Sequence, residues 1–140
     1  MLELLTRVFF LIFAVFVFTL FSLYLIPALH SYQHYYGKQE TYALARNFHA
    51  LLAYCIVSAL VYGYAKISFS MPATIQRHTV IISCTKYNNI SLLVITSPFL
   101  KYTIQLPSFV NCNFKLTLGA PEYYLICKKI NNEVQVSMVT

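Results

Sequence analysis

The sequence predicts a membrane α-helical hairpin of two spans followed by a small all-β antiparallel sandwich or meander. Three observations predict it. Residues 8–29 read VFFLIFAVFVFTLFSLYLIPAL, with no charge and no glycine. That run exceeds the roughly 20 residues a helix needs to cross a bilayer. Residues 47–65, NFHALLAYCIVSALVYGYA, form a second apolar stretch whose only titratable group near neutral pH is His49. From His78 onward apolar residues recur at every second position, as in strands with one buried face. The expected organisation is a transmembrane hairpin over residues 1–67, with spans at 8–29 and 47–65, then a linker over 68–77 and a β domain over 78–140.

Composition agrees with a membrane chain. Of 140 residues, 59% are hydrophobic and 10% charged, against about 25% charged in ordinary soluble domains. The acids number four, all Glu: Glu3, Glu40, Glu122 and Glu133. With so few carboxylates, acid–base catalysis is hard to assemble, and no enzyme is expected. The net charge of +6 comes from scattered Lys and Arg, with Lys128 and Lys129 the one adjacent pair. Nucleic-acid binding needs a basic cluster or stripe, so no nucleic-acid partner is expected. A mildly basic chain suits an anionic lipid bilayer.

Taken in order, residues 1–7 are a short polar lead with Glu3 and Arg7. The first span follows. Its apolar run is longer than a signal-peptide core, and Ala28-Leu29-His30-Ser31 is a poor cleavage site, so the segment reads as a retained anchor. Pro27 is expected to end this helix, since its ring clashes and it donates no hydrogen bond. The connector over 30–46 is rich in Tyr (Tyr32, Tyr35, Tyr36, Tyr42), as at a membrane interface. Gly37 and Lys38 read as its turn. Arg46 and Lys66 bracket the second span as snorkelling ends. Ala59 and Gly63 form a small-xxx-small pair suited to helix packing.

The linker carries Pro72, and six strand-like segments follow at 79–85, 90–96, 100–106, 112–118, 122–129 and 133–139. The expected inward sets include Val80, Ile82 and Cys84; Tyr102, Ile104 and Leu106; Phe114, Leu116 and Leu118; Tyr123, Leu125 and Cys127; and Val134, Val136 and Met138. Residues 90–96 are apolar on both faces and read as a central strand. Turn chemistry separates the segments: Asn88-Asn89, Ser97-Pro98, Pro107-Ser108, Gly119-Ala120-Pro121 and Asn131-Asn132. So small a domain is near the lower limit for an independent core, so pairing with a second copy or packing on the helix ends is expected.

Two spans place both termini on one side. The charge balance, with Arg7, Lys66, Arg77 and Lys86 on that side, favours the cytosol. The four cysteines, Cys55, Cys84, Cys112 and Cys127, form no CxxC pair. Three fall in the β domain, an odd number that suits a reducing compartment. Against this stands the triplet Asn89-Ile90-Ser91, a glycosylation acceptor at a turn.

The candidate functional residues lie in the second span. Asn47, Tyr54, Ser58 and Tyr62 share one helix face, as a pore lining or as hydrogen-bonding contacts between helices. Tyr42, Arg46 and His49 form a face that reads as a headgroup anchor or a titrating gate. His30 and His34 lack the further ligands a metal needs. No catalytic, cofactor or metal site is expected.

The Tyr-rich stretch over 54–64, followed by the β pattern from Thr79, resembles the layout of the coronavirus membrane (M) protein and the 3a-type accessory proteins. That resemblance is one of element order. It implies a small viral protein of host secretory membranes that self-associates as a homodimer. The resulting expectation is a non-enzymatic, multi-pass accessory protein of endoplasmic reticulum or Golgi membranes. It would present a cytosolic β domain to host or viral proteins. The alternatives are a viroporin-type channel and a membrane-anchored protein with a luminal β binding domain.

Overall fold

The computed structural model describes residues 2–140, with the backbone alone described at Leu2, Leu4 and Leu5. Met1, in the expected polar lead, lies outside the described residues. In place of the hairpin there is one helix, α1, Leu2–Tyr62. Ten strands follow: β1 Tyr64–Phe69, β2 Thr74–Ile75, β3 His78–Thr79, β4 Ile81–Tyr87, β5 Ile90–Thr96, β6 Lys101–Leu106, β7 Val110–Cys112, β8 Phe114–Thr117, β9 Tyr123–Ile130 and β10 Glu133–Val139. The chain divides into two compact units, Met1–Tyr36 and Gly37–Thr140, and α1 contributes to both.

The two-span hairpin is therefore corrected to a single helix. Among the described residues, one helix is long and apolar enough to cross a membrane. Pro27 lies inside α1 rather than at its end. A proline removes the bond to one carbonyl, here that of Leu23, a loss that apolar spanning helices tolerate. The connector also fails to break the helix. Leu44, Ala45 and Arg46 are strong helix formers, and a single interior glycine costs only about 1 kcal/mol. Gly37 is thus a helical residue, not a turn.

Over residues 8–29 the helix is apolar all round, and the described side chains of the first unit are exposed apart from a partly covered Ser22. None of its most apolar stretch is buried. The Thr19 hydroxyl donates to the Val15 carbonyl at 2.7 Å, so this polar group is satisfied within its own turn. Tyr32 and Tyr36, one turn apart, share a hydroxyl hydrogen bond of 2.8 Å.

In the second unit α1 becomes one-sided. Gly37, Thr41, Leu44, Ala45, Phe48, Leu52, Cys55, Ile56 and Ala59 are buried. They recur at three- and four-residue intervals, the spacing of an amphipathic helix on a core. Their partners are the inner faces of two open four-stranded sheets, ordered β1-β9-β10-β7 and β6-β5-β4-β8, beside a short β2-β3 ribbon. The expected antiparallel sandwich or meander is corrected to two open sheets, not all antiparallel. The helix supplies part of the core, and β10 pairs with β7 in parallel, Val134 opposite Val110 and Val136 opposite Cys112.

The strand faces follow from period two. Val80, Ile82, Cys84, Leu93, Ile95, Leu125, Cys127 and Val134 are all fully buried. β5 sits between β4 and β6, and the two-faced apolar character of its residues fits an interior strand. Asn88 and Asn89 close the β4–β5 hairpin with φ of 47° and 63°, which Asn adopts readily. The buried Tyr123 hydroxyl accepts the backbone N–H groups of Gly119 and Ala120, which sets the turn into β9.

Candidate functional site

The helix side of the second unit is held by specific polar contacts. The Thr41 hydroxyl donates to the Gly37 carbonyl at 2.7 Å and also meets the Ser97 hydroxyl at 2.9 Å. Ser97 in turn accepts the backbone N–H groups of Phe99 and Leu100, which shapes the turn between β5 and β6. The Phe99 ring packs where a Cβ on Gly37 would stand, at 2.6 Å. At its other end α1 stops at Gly63, whose φ of 82° is the left-handed cap conformation. Lys129 donates there twice, from its backbone to the Gly63 carbonyl and from Nζ to that of Leu60. A cation at a helix C-terminus is favourable.

Cys84 and Cys112 form a disulfide with Cα atoms 5.6 Å apart. It joins β4 of one sheet to β7 of the other. Beside it, Ser91 Oγ donates to the Val110 carbonyl at 2.6 Å. The expectation of three reduced, inert cysteines in the β domain is therefore corrected: two of them are paired. Cys55 and Cys127 remain as buried thiols.

The outer face of the first sheet carries a polar surface. Asn111, Ile130, Asn131, Asn132, Glu133 and Gln135 line an open depression of about 410 Å³. The register explains their convergence, because Asn111 lies opposite Gln135 and Glu133 lies opposite Ile130. Asn111 Nδ2 donates to Glu133 Oε2 at 3.5 Å, and Lys86 reaches the same carboxylate at 3.9 Å. Further along this face Lys66 stands 4.3 Å from the Tyr124 ring centroid. The Tyr124 hydroxyl donates to Glu122 at 3.0 Å. That bond to a carboxylate holds the phenol above its ordinary pKa. Amide, carboxylate and ammonium groups of this kind can exchange hydrogen bonds with a polar partner. Among the described residues no group of three or more His, Cys, Asp or Glu could hold a metal ion.

The stripe of Asn47, Tyr54, Ser58 and Tyr62 is placed differently from expectation. Tyr54 and Tyr62 are 67% and 82% exposed, Asn47 is exposed, and Ser58 is partly covered. They flank the buried row of a helix that packs on sheets, and among the described residues no second spanning helix accompanies them. The viroporin reading is overturned with the hairpin. Ala59 is fully buried in the shared core, whereas Gly63 is the helix cap. Asn89 is an exposed hairpin residue, but Ser91 of its triplet is buried. Tyr42 packs edge-on against Tyr102 at 5.7 Å, while Arg46 and His49 are exposed. The depression around Asn111 and Glu133 escaped the sequence reading because a parallel strand pair builds it. The Asn131-Asn132 turn was its only local signal.

Compared with protein families, characterised proteins and solved structures, the chain matches none. Nothing in those comparisons bears on the resemblance to coronavirus membrane and 3a-type proteins in either direction. The multi-pass, two-span topology with both termini cytosolic is overturned by the single apolar helix. The expected multi-pass accessory protein of endoplasmic reticulum or Golgi membranes is corrected with it.

Proposed function

We propose that this chain is a single-span, membrane-anchored binding module that acts without catalysis. Residues 8–29 hold it in a lipid bilayer, and the disulfide-bonded β unit meets a polar partner through the Asn111–Glu133–Gln135 surface. The observation that carries this reading is the change in covering along α1. Over residues 8–29 it is apolar on every side and uncovered apart from part of Ser22; in the second unit it is amphipathic and packed. A helix apolar all round is stable in a membrane or a large core. The 22 residues 8–29 rise about 33 Å at 1.5 Å each, enough for a hydrocarbon layer of about 30 Å.

A single span puts the two ends of the chain on opposite sides. The Cys84–Cys112 bond favours an oxidising side for the β unit. Expression with microsomes tests this. The protein should resist alkaline extraction, and the β unit should be shielded from protease added outside. Asn89 should accept a glycan before Ser91 is buried by folding. Extraction by alkali would remove the anchor; digestion of the β unit from outside would reverse its side.

Self-association is a second reading, favoured by the exposed apolar side of α1 in the second unit, where Tyr54, Val57 and Val61 are uncovered. Cross-linking in detergent across a wide concentration range tests it. A species that stays monomeric throughout would rule it out.

A further inference from the structure

We propose that Cys55 and Cys127 are the site of a second disulfide, which ties the packed half of α1 covalently to β9. The pairing rests on where the Cys55 sulfur sits relative to the strand that carries Cys127. Cys55 Sγ lies 3.8 Å from the carbonyl oxygens of both Ala65 and Leu125. Ala65 is the direct register partner of Cys127 across the β1–β9 ladder, and Leu125 is the next inward-facing residue along β9. The Cys55 thiol is therefore seated over the rung that carries Cys127. Both residues are fully buried in the same core cluster.

The two thiols also influence each other electrostatically. The Cys127 thiol lowers the pKa of Cys55, and the Cys55 thiol raises that of Cys127, with burial adding to the rise. Among the described residues these are the two cysteines outside the Cys84–Cys112 bond.

The chemistry is thiol–disulfide exchange and needs a disulfide oxidant, such as oxidised glutathione or a dithiol oxidase. The Cys55 thiolate attacks one oxidant sulfur, forming a mixed disulfide and releasing one thiolate. The Cys127 thiolate then attacks the Cys55 sulfur, closing the internal bond and releasing the second thiolate. The two cysteine protons end on the departing thiols, and the two electrons reduce the oxidant. Since the folded pair is buried, the first attack takes place while the chain folds. Packing of α1 on the sheet then brings the second thiol to the mixed disulfide.

The consequence is mechanical. α1 is continuous from the apolar segment into the core, so a bond at Cys55 joins the helix that carries the anchor to the sheet that carries the polar surface. It closes a loop of about 70 residues, a length at which cross-links strongly restrict the unfolded chain.

This inference rests on the oxidising-side reading above, and one measurement separates the two. Full-length protein is recovered from membranes without reductant, denatured in an alkylating reagent and mapped as peptides. The expected result is no alkylated cysteine, with one peptide pair linked through Cys55 and Cys127 and another through Cys84 and Cys112. Alkylation of Cys55 and Cys127 with Cys84–Cys112 intact would overturn this inference alone. Alkylation of all four would overturn the oxidising-side reading as well. In the expected case, Cys127→Ser should leave Cys55 as the single labelled residue. Its unfolding temperature should become no more sensitive to reductant than the remaining bond requires.

Discussion

The two halves of α1 are both rich in apolar residues, yet they do different work. Residues 8–29 carry Phe, Leu, Val and Ile on every side, and all are uncovered except for part of Ser22. Between Gly37 and Tyr62 the large buried side chains fall on one row, led by Phe48 and Leu52, while Tyr54, Val57 and Val61 are exposed. Mean hydropathy does not separate a span from a core helix as well as period does. A span is apolar at every angle around the helix; a core helix is apolar where the sheet lies.

The largest expected effect tests that row. Phe48 is fully buried and meets Phe69 at 5.9 Å, which in turn stacks on Tyr123 at 5.8 Å. Phe48→Ala should destabilise the second unit by about 3–5 kcal/mol, read as a lower denaturant midpoint in detergent. Phe16→Ala, in the uncovered half, should move that midpoint by less than about 0.5 kcal/mol. Equal effects from the two would erase the distinction between the halves.

A charge probes the same contrast from the membrane side. Phe16→Arg should cost roughly 2.5–3.5 kcal/mol of insertion, seen as a larger fraction released by alkaline extraction. Val57→Arg, on the exposed side of the packed half, should leave extraction unchanged. Release caused by Val57→Arg would return the second half to the bilayer.

Much of this was legible in the residues. The inward faces of β4, β6, β9 and β10 follow from alternation alone, because a strand reverses its side chains at each step. β1 was hidden by its composition. Ala65, Ile67 and Phe69 alternate with Tyr64, Lys66 and Ser68, but the segment follows an apolar helix and reads as its tail. β7 and β8 read as one strand over 112–118; a single residue, Asn113, separates them, and each joins a different sheet. That switch depends on the parallel β10–β7 pairing, which no local pattern encodes. The Cys84–Cys112 bond was unreadable for a related reason, since spacing does not determine which cysteines meet. Pro27 does not end the helix, because the cooperative helix on both sides of it outweighs one lost bond.

Gly37→Ala should have the next largest effect. Alanine favours the helix by about 1 kcal/mol, but its Cβ would stand 2.6 Å from the Phe99 ring. Displacing that ring disturbs the Ser97 turn that Thr41 holds. The net cost should be about 1–3 kcal/mol, as in other overpacked sites. Phe99→Leu in the same chain should recover part of it, and failure to recover any would place the strain elsewhere.

Gly63→Ala should have the smallest effect, and for a different reason. Beyond its chain neighbours no described atom lies within 4 Å of a Cβ built there, but its φ is 82°. The cost is therefore conformational rather than steric, about 1 kcal/mol. Asparagine enters the left-handed region more readily than alanine, so Gly63→Asn should lose less than Gly63→Ala. At Gly37 the order should reverse, because the larger side chain meets Phe99 more severely. Denaturation of the four variants tests both orders at once. If Asn and Ala rank alike at the two positions, Gly63 does not end the helix as a left-handed cap. The boundary between the packed half of α1 and β1 would then have to be set by the sheet alone, through the Lys129 bond to the Gly63 carbonyl.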